Sequence, residues 1–220
     1  MSKDWFISDT HIGHGNIMKY CNRLGLSADE QKNLKDKADF KVSNESIVRM
    51  NDMIVDEINS VVMPEDRLWH LGDVIFGNKK FVYANCKKFL DRLNCKEIHL
   101  CRGNHDNKII EPLFASVEDV RYIRISKKKM VFVSHYAHAI WDQSHRGRIH
   151  LYGHSHAGAE KGLDAMMPGR RSTDVGIDNL MKLFGSYKPV DMEQIESVLG
   201  DRPGHSIDHH TPKMVTANHE

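Results

Sequence analysis

Five short stretches of this 220-residue chain set carboxylate, amide and imidazole side chains close together. They are D-T-H at Asp9 and His11, G-D at Asp73, G-N-H-D over residues 103–106, S-H at His135, and G-H-S-H at His154 and His156. Each alone is weak, because such pairs arise constantly by chance. Together they supply mixed nitrogen and oxygen ligands without thiolate, a set that suits Mn, Fe, Zn or Ni better than Ca or Mg. On an extended segment the spacings D-x-H and H-x-H send both members to one side, so each pair can enter one site. Two metals about 3.5–4 Å apart need an anionic ligand between them. Asp73, alone at a strand end behind a glycine, is the candidate for that place.

Strands and helices must bring these stretches together. Residues 5–7 read as a short buried strand, and 67–71 and 95–101 as two more. Between them, Ile47, Met50, Ile54, Ile58 and Val61 recur at helical spacing over 44–62, behind a Ser43 or Asn44 cap and before Pro64. Val82, Cys86, Phe89, Leu90 and Leu93 mark a second helix, and residues 23–43 read as an irregular polar insertion. The alternation predicts an α/β fold, in which ligands gather at strand ends. The second half predicts short strands at 120–125, 130–134, 149–152 and 173–177, forming a largely antiparallel sheet packed on the first. A closing helix is expected at 191–199. Residues 1–200 then form one domain, and 201–220 a mobile tail with His205, His209 and His210.

Hydrophobic residues make up 40% and charged residues 28%, as in ordinary soluble globular proteins. The first ten residues have no apolar segment of the export type, and no apolar run approaches the roughly 20 residues of a membrane span. Cys21, Cys86, Cys95 and Cys101 show no CxxC spacing, so free thiols in a reducing, cytoplasmic compartment are expected. A net charge of +1 gives no global footprint for nucleic acid. Local basic clusters stand at Lys127, Lys128 and Lys129, at Arg146 and Arg148, and at Arg170 and Arg171; the first reads as a solvated hairpin tip.

From Asp9 to about Asp178, the ordered set of motifs resembles the calcineurin-like metallophosphoesterase superfamily, with all five present unsubstituted. SDTHIGHGNIMKYCNR, WHLGD and HYAHAIW further look like a small single-domain branch of predicted phosphohydrolases from bacteria and their phages. The resemblance implies a four-layer α/β fold, two mixed β-sheets sandwiched and flanked by helices. It implies a pair of divalent transition-metal ions, manganese first among them. Asp9, His11 and His156 would hold one ion and Asn104, His135 and His154 the other, with Asp73 bridging. His105 would face the scissile phosphate and Asp106 would orient its imidazole. The implied reaction is hydrolysis of a phosphate mono- or diester, a small molecule or nucleotide, by a metal-activated hydroxide.

Other residues keep two readings. His14 either approaches substrate or packs at the start of a short helix capped by Asn16. Arg23 and Arg171 either grip a phosphate or carboxylate bidentately or are ordinary surface arginines. Trp141 either stacks on a base or anchors its loop. Asp174 and Asp178 are either supports behind the ligands or turn residues. A nuclease acting on DNA or RNA is the competing enzyme; a non-catalytic scaffold is disfavoured because no ligand is missing.

Overall fold

A computed structural model describes residues 2–205 of the chain. After β1 (Asp4–Ile7) come three helices, α1 (Gly15–Tyr20), α2 (Ala28–Lys35) and α3 (Asn44–Asn59), before β2 (Arg67–His70). Helix α4 (Lys79–Asp91) leads to β3 (Glu97–Cys101), and a 3₁₀ turn to β4 (Ser116–Glu118). These strands form one sheet in the order β1-β2-β3-β4, every pair parallel. Parallel order puts all carboxyl ends on one side, so the loops that follow β1, β2 and β3 share an edge. Helix α3 is amphipathic, burying Met50, Ile54 and Ile58 at four-residue steps, and Ser43 caps it by accepting from the Ser46 N–H.

The second sheet holds β5 (Val120–Arg124), β6 (Met130–Ser134), β7 (Ile149–Tyr152) and β8 (Ser172–Asp174) in that order. It corrects the largely antiparallel expectation: only β5–β6 is antiparallel, while β6–β7 and β7–β8 are parallel. The short 125–129 connection permits a hairpin, whose tip is the lysine run. The 135–148 and 153–171 connections, the latter carrying α5 (Glu160–Met166), are long enough for the crossovers that parallel pairs require. Beyond β8 lie α6 (Ile177–Phe184) and α7 (Met192–Leu199). Ile177 therefore opens a helix rather than ending a strand. The α/β class with two sheets and flanking helices is as expected.

Strand β1 ties the halves together. Phe6 exchanges backbone hydrogen bonds with Val190, and Ser8 donates to the Val175 carbonyl at 3.0 Å and accepts from Ile177 at 3.1 Å. One cluster of buried apolar side chains, Phe6, Ile7, Leu71, Val131, Val133 and Leu151 among them, runs through both sheets. No described helix is long and apolar enough to cross a membrane. The four cysteines are free. Residues 202–205 lie against the body, Gly204 donating to the Gly169 carbonyl and His205 Nδ1 lying 3.2 Å from that of Pro168. The rest of the expected tail, with His209 and His210, lies outside the described residues.

The 23–43 segment is more ordered than its composition suggests. Ser27 and Glu30 form a reciprocal capping box that opens α2. The Glu30 carboxylate also accepts from the Ser43 N–H and the Ser46 hydroxyl, which joins the caps of α2 and α3. Burial opposes the charge, but these hydrogen bonds prevail and hold Glu30 down to about 2, against an ordinary 4.5. A folded-state value below the unfolded one contributes stability above pH 4.5 that is lost as pH falls toward 2. Glu30→Gln is therefore expected to lose stability at pH 6 and to flatten the pH dependence between 4.5 and 2. Urea midpoints across that window check it; wild-type and variant curves that stay parallel would contradict it.

Candidate metal centre

Every ligand candidate follows a strand's carboxyl end: Asp9 and His11 after β1, Asp73 after β2, Asn104 after β3, His135 after β6, His154 and His156 after β7. Five of them adopt left-handed backbone: Asp9 at φ 58°, His11 at 46°, Asp73 at 55°, His154 at 67° and His156 at 47°. Such φ values cost non-glycine residues of order 1–3 kcal/mol each and gather at functional sites. The D-x-H and H-x-H pairs thus converge through tight left-handed turns, not through the pleat of an extended strand. The turns are held by backbone bonds, Asp9 N–H to Gly72 O at 2.9 Å and His11 N–H to Asp73 O at 3.0 Å. Gly72, at φ +99°, leaves no room for a side chain: a Cβ would stand 2.5 Å from His135 Nδ1 and 2.7 Å from Gly103.

The side chains fall into two sets. Ligand atoms of Asp9, His11 and His156 lie within 4.8 Å of one another, as do those of Asp73, His135 and His154. Asp73 Oδ2 stands between the sets, 3.5 Å from His11 Nε2 and 3.6 Å from His135 Nε2. Its other oxygen accepts from the His105 N–H at 2.8 Å. Asn104 Oδ1 lies 3.1 Å from His135 Nε2, beside the second set. His135 is aimed by its far nitrogen, Nδ1, at 2.7 Å from the Leu71 carbonyl.

The charge balance of the first set calls for a cation. Asp9 is buried, and burial together with the nearby Asp174 charge pushes its carboxyl well above the usual range. Its Oδ1 and both nitrogens of buried His11 have no hydrogen-bond partner among the described residues. Buried polar atoms are almost always partnered, so such orphans fit a metal site. Burial, with Arg23 next, lowers His11 to about 2 and keeps its imidazole neutral, the ligating form. For His156 burial opposes charge, but hydrogen bonds to Asp178 and Cys21 and the Asp9 charge raise it to about 10. Surroundings that demand a positive charge on a ring also favour a metal ion beside it.

Behind these ligands is a brace in which Asp174 and Asp178 take the supporting alternative and Arg23 joins them. Arg23 is a corrected substrate contact: its side chain is 0% exposed and forks onto both Asp178 oxygens at 2.8 and 2.7 Å. It also donates to the carbonyls of Asp9 at 2.7 Å and Thr10 at 2.9 Å. Asp178 in turn accepts from His156 Nδ1 at 2.7 Å, so one carboxylate orients both the guanidinium and the imidazole. Asp174 accepts from Ser155 Oγ and from the Gly176 and Ala157 N–H groups, fixing the G-H-S-H turn. Arg23→Ala is expected to destabilise the fold by about 3–5 kcal/mol, because it strands a buried carboxylate. Chemical unfolding measures this, and a loss below about 1 kcal/mol would contradict the brace.

Asp106 is likewise corrected. Its oxygens accept from the N–H groups of Asp73 (2.9 Å), Val74 (2.9 Å) and Gly103 (2.8 Å), and no described bond joins it to the His105 ring. It pins the G-D turn to the G-N-H-D turn. The exposed His105 ring lies at the site, 5.4 Å from the His11 ring. His14 is there too, 5.4 Å from His11 and stacked on Phe76 at 3.9 Å. Tyr136, which carried no signal beyond following His135, donates to Asn104 Oδ1 at 3.3 Å and packs on the His154 ring. Arg171 precedes β8, at the opposite end from Asp174, and its guanidinium donates to the Gly200 and Arg202 carbonyls. It is not part of this site. Trp141 is buried and donates to the Arg148 carbonyl at 2.8 Å, the loop-anchoring alternative.

Fold and site together define an α/β two-sheet protein with a histidine–carboxylate cluster at its strand ends. The chain belongs to the family of the uncharacterized protein MJ1445 of Methanocaldococcus jannaschii, to which it is 30% identical over 199 residues, 90% of this chain and 92% of that one. It is also similar to the Gene 66 protein of Mycobacterium phage L5, 27% identical over 206 residues, 81% of this chain and 87% of that one. The crystal structure of AQ665 from Aquifex aeolicus, a protein of unknown function, shares the fold at a TM-score of 0.62 and 19% identity, across 90% of this chain and 100% of that chain. No family model matches the sequence.

Proposed function

We propose that the protein is a phosphoesterase working with a pair of divalent transition-metal ions, manganese first among them. Asp9, His11 and His156 would hold one, and Asn104, His135 and His154 the other, with Asp73 shared. The observation that carries this reading is Asp73 Oδ2, about equally far from one imidazole of each set, at 3.5 and 3.6 Å. Metal ions so held neutralise phosphate charge and bring the pKa of water toward neutrality. The chain's own residues do the rest. Arg23, Asp178 and the Leu71 carbonyl fix the imidazoles, and Asp106 fixes the turn that carries Asp73. His105, exposed beside His11, donates a proton to the leaving oxygen or a hydrogen bond to the phosphoryl group. A cavity of about 120 Å³ adjoins it, lined by Phe76, Lys79 and Asn107 among others, and receives the leaving group of a small phosphate ester or nucleotide.

The test is a hydrolysis panel on the full chain: nitrophenyl mono- and diesters, cyclic nucleotides and single-stranded DNA, each with Mn, Ni, Zn and Mg. Turnover of a small ester with a transition metal is expected. Cleavage of DNA alone would replace this substrate class with a nuclease, and no turnover with any metal would overturn the proposal.

A further inference from the structure

Three basic clusters far apart in sequence meet in one place. Strands β6, β7 and β8 are mutually parallel, so their amino ends lie together, opposite the end that carries His135 and His154. Lys129 precedes β6, Arg148 precedes β7 and Arg171 precedes β8. The hairpin tip adds Lys127 and Lys128, and the turn at Ser144–Arg146 adds Arg146. Together they line a cavity of about 300 Å³ whose only carboxylate among the described residues is Glu196. The chain as a whole carries just +1, so this concentration is local.

The acids nearby among the described residues pair with only two of these cations. Glu196 pairs with Lys129, and Asp142 pairs with Arg148. Among the described residues, Lys127, Lys128, Arg146 and Arg124 on β5 have no ion pair. The other member of the third cluster, Arg170, is different: it is fully buried and bound to Glu160 and Asp164, a structural residue. The turn that presents Arg146 and Arg148 is shaped for it, with Gln143 at φ 58° and Gly147 at φ 80° on its flanks and Trp141 anchored beneath. Cations this close repel within a Debye length of about 8–10 Å, a cost that a bound anion offsets.

We propose that this cavity binds a compact chain of phosphates, an inorganic polyphosphate or the polyphosphate part of a nucleotide. Arginine forks and lysine point charges both suit phosphate oxygens. The site spreads its cations over three strand ends, more than a single phosphate can reach. Nucleic-acid strands are held by aromatic stacking as well as charge, and no aromatic residue among the described ones lines this cavity. The site is separate from the metal centre and does not depend on what that centre hydrolyses.

Calorimetric titration of the full chain with sodium tripolyphosphate, ATP and a thymidine decamer at fixed salt tests the proposal. Tripolyphosphate is expected to bind wild type and Asp73→Asn alike. The double variant Lys128→Glu/Arg146→Glu should bind about tenfold more weakly or worse, and affinity should fall as salt rises. Both residues are exposed and unpaired, so the variant should keep the wild-type Tm; the single variant Lys128→Ala should weaken binding in the same direction. ATP binding as tightly as tripolyphosphate assigns the site to nucleotide phosphates, and weaker ATP binding to the inorganic chain; both uphold it. It is overturned by no tripolyphosphate binding, by binding lost in Asp73→Asn but kept in the double variant, or by tighter binding of the decamer.

Discussion

Asparagine at position 73 is expected to yield a folded protein that retains no stably bound metal and hydrolyses phosphate esters at least about 10³-fold more slowly, the several kcal/mol that metal ions supply. The substitution nearly preserves shape, so the effect isolates charge. One carboxylate oxygen is committed to the His105 N–H at 2.8 Å, and the other faces His11 and His135. An amide in that place either turns an N–H₂ toward two imidazole nitrogens or gives up the bond to the 103–106 turn. Either way the anion between the two ligand sets is gone. Metal analysis of the purified variant, with a thermal melt to establish that it folds, reads the result. A variant that retains the wild-type metal complement would remove Asp73 from its shared position.

His105→Ala should do the opposite to metal content: leave it intact while turnover falls about 10²-fold or more. The ring is exposed and its neighbours are the loop residues His11 and Phe76, so stability should change by no more than about 0.5 kcal/mol. Proton donation matters most when the leaving group is a poor one, so alkyl esters should lose more rate than nitrophenyl esters. Turnover near wild type on both substrates would take His105 out of the reaction. An equal loss on both would leave it as a hydrogen-bond donor to the phosphoryl group rather than an acid.

The metal-ligand candidates were legible because chemistry constrains their types and the fold places each just after a strand. Short apolar strands alternating with helices at four-residue steps made the α/β class legible as well. Strand direction in the second sheet was not, because short β-strands look alike whether a crossover or a hairpin joins them. The left-handed turns at Asp9, His11, Asp73, His154 and His156 were also hidden, since aspartate and histidine there read first as residues of an extended chain. Arg23 read as a substrate contact or a surface residue because no partner stands near it in sequence; Asp178 is 155 positions away, and only the closed fold shows the pair. Helix α2 was missed although Ser27 and Glu30 have capping-box spacing, because the segment between them and Ser43 has no apolar period. The basic clusters show the reverse case. Each was visible in sequence and unremarkable, and parallel strand order made them one cavity.

The central claim is that two metal ions share Asp73. Anomalous diffraction from crystals of the full chain grown with manganese tests it most directly. Two peaks are expected, one beside Asp9, His11 and His156, the other beside Asn104, His135 and His154, with the Asp73 carboxylate between them. A single peak, or peaks away from Asp73, would contradict the account.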